Sequence, residues 1–246
     1  MVDIASDTPL LGEEAFAVGD ILGRSLSLFR RDFGRFVLVT GLFLLPDLIG
    51  SLIDPNIQSK APAASGWSFV MLILQTLANV AVISVAWAQV NGQVVSIGDA
   101  VRESGQRFRS AMFTSILQGF AGVLGLILLI VPGLIALAMM YVALPACVVE
   151  RTGATASINR SAALTKGHRW KVFGIFLIAS GGGVIVAVVV EALATAFSNP
   201  TVVAFATYLA QLMYLPFGAI TSLLVYQALR TAKEGPGVQT LSEVFA

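Results

Sequence analysis

The sequence predicts an all-α integral membrane protein: six transmembrane helices arranged as three hairpins, each preceded by a basic interfacial helix on the cytoplasmic side. Three observations predict it. First, 57% of the 246 residues are hydrophobic and only 12% are charged, against about 45–50% and about 25% in an ordinary soluble domain. Second, six apolar runs approach the roughly 20 residues that a helix needs to cross a bilayer. They are Phe36–Ile53, Trp67–Val90, Ala111–Val131, Leu134–Val149, Val172–Phe197 and Thr201–Leu229. Third, alternating the connections between two sides sends every Lys and Arg except Lys60 to one side. That asymmetry marks the cytoplasmic side and puts both termini there.

Residues 1–15 form a polar tail containing Asp3, Asp7, Glu13 and Glu14. The N-terminal stretch has no basic segment followed by a short apolar one, so it does not read as a secretory signal. Residues 16–233 make up the membrane domain, and 234–246 a second polar tail. Between the third and fourth runs only Val131-Pro132-Gly133 intervenes. A single helix from Ala111 to Val149 would be roughly 58 Å long at about 1.5 Å per residue, nearly twice the hydrocarbon thickness of about 30 Å. The expectation is therefore a tight external turn at Pro132-Gly133.

A basic segment precedes each odd-numbered run, and the three share a register. Leu22, Ser25 and Phe29 recur as Val101, Ser104 and Phe108, then as Ile158, Ser161 and Thr165. These positions fall on one helical stripe, with cations away from it. The reading is a threefold repeat, at about 16–92, 93–150 and 151–233. Its interfacial helices lie apolar side down, with Arg and Lys reaching phosphate headgroups. The bland alternative is a set of positive flanks that happen to be helical. The third copy is the least amphipathic, and Gly153 and Gly167 weaken it as a helix.

Candidate headgroup-binding residues are Arg30, Arg31, Arg107, Arg109, Arg160, Lys166, Arg169 and Lys171, with Trp67 and Trp170 as interfacial anchors. Within the runs, Asp47 and Glu191 are candidates for an ion or substrate site, since carboxylates in a membrane are costly to keep. Gln75, Asn79, Tyr208, Gln211 and Tyr214 are the polar side chains that could join them; the alternative is that both acids reach the interface. Pro46, Pro145 and Pro216 should kink their spans. Gly119, Gly122 and Gly125, and Ser180 to Gly183, mark close helix packing, or else a helix broken around a substrate.

Catalysis has little foothold. His168 is the one histidine and Cys147 the one cysteine, so neither a metal site nor a disulfide framework is indicated. No Gly-x-Ser-x-Gly elbow and no phosphate-cradling Gly-Lys-Ser/Thr loop occurs. Nothing calls for a cofactor, and a net charge of +1 gives no reason to expect a nucleic-acid partner.

Three stretches carry a family likeness. They are Val18 to Phe33, Val131 to Ile135, and Pro145 to Glu150 leading into Ile158 to Lys171. In these the chain resembles the membrane-domain family found attached to some bacterial glycerophosphoryl diester phosphodiesterases, which also occurs free-standing. The resemblance implies a bacterial inner-membrane protein. No phosphodiesterase-sized soluble segment accompanies the six runs, so no hydrolytic residue is carried over. The functional expectation is a non-enzymatic protein that engages anionic phospholipids, a protein partner or a second copy through its basic side. A small transporter or channel with a cavity between the repeats is the alternative.

Overall fold

The computed structural model describes residues 17–54, 66–128, 130–197 and 199–235; for 122–128, 130–132, 134 and 195 it describes the backbone alone. Residues 1–16 and 236–246, Lys60 and most of the Asp54–Gly66 connection thus lie outside the described residues; Glu234, expected in the second tail, instead ends the last helix. Within these, nine α-helices and no strand occur. They are α1 (Val18–Arg31), α2 (Phe33–Ile53), α3 (Gly66–Val90), α4 (Ile97–Leu128), α5 (Ile130–Met140), α6 (Ala143–Val149), α7 (Ala154–Thr165), α8 (Arg169–Thr195) and α9 (Pro200–Glu234).

Four of them are long and apolar enough to cross a membrane: Phe33–Ile53, Gly66–Val90, Arg169–Ala194 and Pro200–Glu234. They match the first, second, fifth and sixth apolar runs. Helix boundaries follow local chemistry. At the end of α3, Gly92 takes φ +70°, and Gln93 N bonds Ala88 O at 2.8 Å while Gly92 N bonds Gln89 O at 3.1 Å. This is a Schellman closure that satisfies two of the last carbonyls. At the start of α4, Ser96 Oγ accepts from Asp99 N at 3.1 Å, and α9 opens with Asn199 accepting from Thr201 N, followed by Pro200 in the first turn.

The core is built on α3 and α9. From Val80 to Ala86 every residue of α3 is buried, and Ala219–Leu223, Val225, Tyr226 and Leu229 of α9 are buried alongside. Small residues let the backbones close up. A Cβ on Gly50 would lie 2.4 Å from the ring of Trp67, and one on Gly183 would lie 3.1 Å from Tyr214. Gly181 and Gly182, by contrast, face open space. Outward faces of α2 and α8, such as Leu38, Ile49, Ile185 and Leu193, are apolar and exposed.

The structure corrects several expectations. Val131-Pro132-Gly133 is not a turn: it lies in the first turn of α5, where a proline costs nothing because its missing N–H would have no helical partner. α4 ends earlier, at Leu128, and α5 runs back along it, with Gln118 Nε2 donating to Met140 O at 2.5 Å. The fourth run is not one helix either. It breaks at Tyr141-Val142 into α5 and α6, so Pro145 falls in the first turn of a new helix instead of kinking an old one.

The basic segments also differ from one another. The first is a separate helix, α1, joined to α2 at Asp32. The second is continuous with its apolar run in the 32-residue α4. The third is α7, separated from α8 by Lys166-Gly167-His168, with Gly167 at φ +91°. The stripes face other helices. α1 packs Ile21, Ser25 and Phe29 against α9 and α8, and α7 packs on α4, α5, α6 and α9.

Candidate functional site

The functional candidates are a set of joined helix ends and a cavity in the middle of the bundle.

Side-chain bonds tie the helix ends together at the first. The Asp32 carboxylate, at the α1–α2 joint, accepts from Gln89 Nε2 of α3 at 2.8 Å and from Arg35 at 3.4 Å. On the other side of the same end, Arg160 of α7 bonds Glu150, just past α6, at 2.7 Å and also reaches Glu234 of α9. Glu234 pairs with Arg230 at 3.2 Å, and Tyr226 Oη donates to Glu150 at 2.7 Å. Burial draws the Arg160 guanidinium down, but the two carboxylates outweigh it and hold it above its ordinary value. Lys233 Nζ donates to Ala163 O, adding a cation near the C-terminus of α7. Partly buried, charge-assisted bonds of this kind fix geometry more than exposed ones do.

The eight predicted headgroup-binding cations divide accordingly. Arg160 is committed to this network, and Arg107 is mostly buried beside Glu103 at 3.2 Å. Arg30, Arg31, Arg109, Lys166 and Lys171 are exposed, and Arg169 is half-buried. Trp170 is 67% exposed at the start of α8, its ring edge-on to Phe173. Trp67 is not laid out in the same way: it is half-buried against Gly50, as described above. Glu150, Tyr226, Arg230 and Glu234 were not predicted site residues. Glu150, at the junction between an apolar run and the cationic stretch that begins at Arg151, was the available signal.

Of the two acids, Asp47 sits on the seam between α2 and α9, where Gln211 Nε2 donates to it at 3.3 Å. It is close enough to Tyr214 for its charge to act there. One turn along the seam, Tyr208 Oη donates to Gly41 O at 3.0 Å. Glu191 is exposed near the far end of α8. The structure thus brings Asp47 together with Gln211 and Tyr214 and leaves Glu191 apart from them.

A cavity of about 480 Å³ opens near the midpoint of α3, between α3, α4, α5, α6, α8 and α9. Its walls are mainly apolar, with Ile83, Leu137, Leu144, Phe176 and Leu215 among them. Set into these walls are Asn79, Gln118, Tyr141, Ser180, Tyr214 and Ser222. Asn79 and Tyr214 were among the polar side chains singled out from the sequence; Gln118, Tyr141 and Ser222 were not. Among the described residues no Asp, Glu, Lys, Arg or His lines the cavity. The break between α5 and α6 forms part of its wall. Gln118 holds the Met140 carbonyl freed by that break, and Ser161 Oγ holds the Met139 carbonyl at 2.5 Å. Tyr141, at the break, packs edge-on against Phe176 with ring centroids 5.4 Å apart. Its hydroxyl is buried and makes no hydrogen bond.

Among the described residues no group of His, Cys, Asp and Glu could hold a metal ion. The chain matches no family model, no curated protein and no solved structure.

Proposed function

We propose that this chain is a non-enzymatic multi-pass protein of the bacterial inner membrane, with both termini cytoplasmic, that engages anionic phospholipid headgroups through its basic end. The observation that carries this reading is the division of the cations. Arg160 and Arg107 have carboxylate partners, whereas Arg30, Arg31, Arg109, Lys166 and Lys171 are exposed. Exposed cations near an anionic leaflet contribute about 1 kcal/mol each. Trp170, exposed beside Lys171, suits the headgroup level.

The six-span, threefold arrangement belongs to the same proposal, as does the resemblance to the membrane-domain family. Ser25, Ser104 and Ser161, the matched serines of the three segments, are all buried, at 0%, 1% and 0% exposure. A shared buried serine supports a shared ancestry of segment packing, despite the different helix boundaries around it.

The test is thermal stability of the full chain in nanodiscs of phosphatidylcholine against phosphatidylglycerol. A ligand that binds only the folded state raises Tm by mass action. Phosphatidylglycerol is expected to raise Tm, and 0.5 M salt to remove most of the difference. Equal Tm in the two lipids overturns the reading.

A second reading, a small transporter with a cavity between the repeats, draws on the cavity itself. Neither Asp47 nor Glu191 lines it, so an ion site built on those acids would be elsewhere.

A further inference from the structure

We infer that the cavity between α3, α4, α5, α6, α8 and α9 is a binding site for an uncharged amphiphile: a molecule with an apolar chain and a neutral hydroxyl or ester head, of the monoacylglycerol type. Three observations lead there. The first is size. About 480 Å³ falls within the range of small-molecule sites, roughly 300–1,000 Å³.

The second is unspent hydrogen-bonding capacity. The Tyr141 hydroxyl is buried and unbonded. A buried polar group left without a partner costs about 1–3 kcal/mol, and Phe176 packs edge-on against the ring that carries this one. Asn79 and Tyr214 also line the space without a side-chain hydrogen bond among the described residues. Donors and acceptors thus converge on a volume whose other walls are Ile83, Leu137 and Leu215. Water alone would satisfy the polar groups but would wet a mostly apolar wall. An amphiphile satisfies both.

The third is charge. Among the described residues the lining holds no cation to receive a carboxylate or phosphate. A charge brought into such a site uncompensated is strongly disfavoured. Ionised fatty acids and phospholipid headgroups are therefore disfavoured, which sets this site apart from the exposed cations. The inference does not depend on the headgroup proposal, and either can fail alone.

The position of the break between α5 and α6 fits the assignment. Irregular backbone at membrane depth is tolerated where it lines a cavity, and here Gln118 and Ser161 take the two freed carbonyls.

The experiment uses the full chain in nanodiscs with a photoactivatable diazirine monoacylglycerol, a matching diazirine fatty acid and a diazirine phosphatidylglycerol, with crosslinked peptides mapped by mass spectrometry. The expected result is crosslinking of the monoacylglycerol probe to the peptides holding Leu137–Leu144 and Tyr214–Ser222, competed by unlabelled monoacylglycerol. Tyr141→Phe should weaken that competition about fivefold, the value of one hydrogen bond. Gly119→Leu should abolish it. Gly119 lines the cavity, and a Cβ there meets nothing within 4 Å, so the new side chain enters the space without disturbing its neighbours. A circular-dichroism melt checks that both variants fold, and Gly218→Leu, with equal room, serves if Gly119→Leu does not. Equal labelling of these peptides by the fatty acid or the phosphatidylglycerol probe overturns the inference. So does labelling unchanged by the blocking leucines, or an absence of labelling in the wild type, which would mean a cavity holding water only.

Discussion

The first and third basic segments, α1 and α7, share a sequence register yet use their cations in opposite ways. In α1 the inward positions Ile21, Ser25 and Phe29 are buried, and Arg30 and Arg31 at its end are exposed. The buried hydroxyl of Ser25 bonds its own helix, at Ile21 O, 2.8 Å away. In α7 the matched Ser161 reaches out to α5, and Arg160 next to it is clamped between Glu150 and Glu234. The same register therefore buries the same kind of residue, while neighbouring elements decide what the adjacent cations are free to do. α7 acts as a tie between α5, α6 and α9, whereas α1 covers α9 and presents its charges outward.

Substitutions can break that contrast, and the largest effect is expected at Arg160. Arg160→Ala removes the centre of the clamp and leaves two half-buried carboxylates without it. A loss of about 2 kcal/mol is expected, between the values for exposed and fully buried pairs, read as a lowered Tm in detergent. A change no greater than that of Arg30→Ala would mean that α7 is no more a tie than α1. Next comes Ser161→Ala, which breaks a bond between two helices and should cost about 1 kcal/mol. Ser25→Ala breaks only a local one and should cost a few tenths; equal losses would erase the distinction. Tyr226→Phe removes one donor to Glu150 and should also cost about 1 kcal/mol, and less once Arg160 is gone, because the two groups share the carboxylate. Smallest of all is the effect of Arg30→Gln with Arg31→Gln on stability, within about 0.5 kcal/mol as for other surface changes. Their consequence is expected in lipid binding instead.

Much of the architecture was legible because it rests on local pattern. Apolar length alone picked out α2, α3, α8 and α9. The spacing of Leu22, Ser25 and Phe29 marked one stripe of α1, and Ser25 and Phe29 on it are buried. What failed was punctuation. Pro132-Gly133 looks like a turn, but a proline early in a helix breaks no hydrogen bond. Tyr141-Val142 carries no breaker signal, yet the chain breaks there because Gln118 and Ser161, distant in sequence, donate to the freed carbonyls. The charge count could not separate paired from exposed cations, since Arg160 meets Glu234 only after α9 has packed. The cavity was least legible of all. Its lining is gathered from six elements, most heavily from α8 and α9, and no single helix carries the pattern. Asn79 and Tyr214 stood out only as polar residues in apolar runs.

The central claim, that the exposed cations and not the clamped one hold anionic lipid, is tested most directly by native mass spectrometry. Phosphatidylglycerol retained by the wild type would be compared with that retained by the Arg30/Arg31/Lys166/Lys171→Gln variant and by Arg160→Ala. The account predicts that the fourfold variant loses retained lipid while keeping its Tm, and that Arg160→Ala keeps its lipid while losing Tm. Undiminished lipid on the fourfold variant would contradict it.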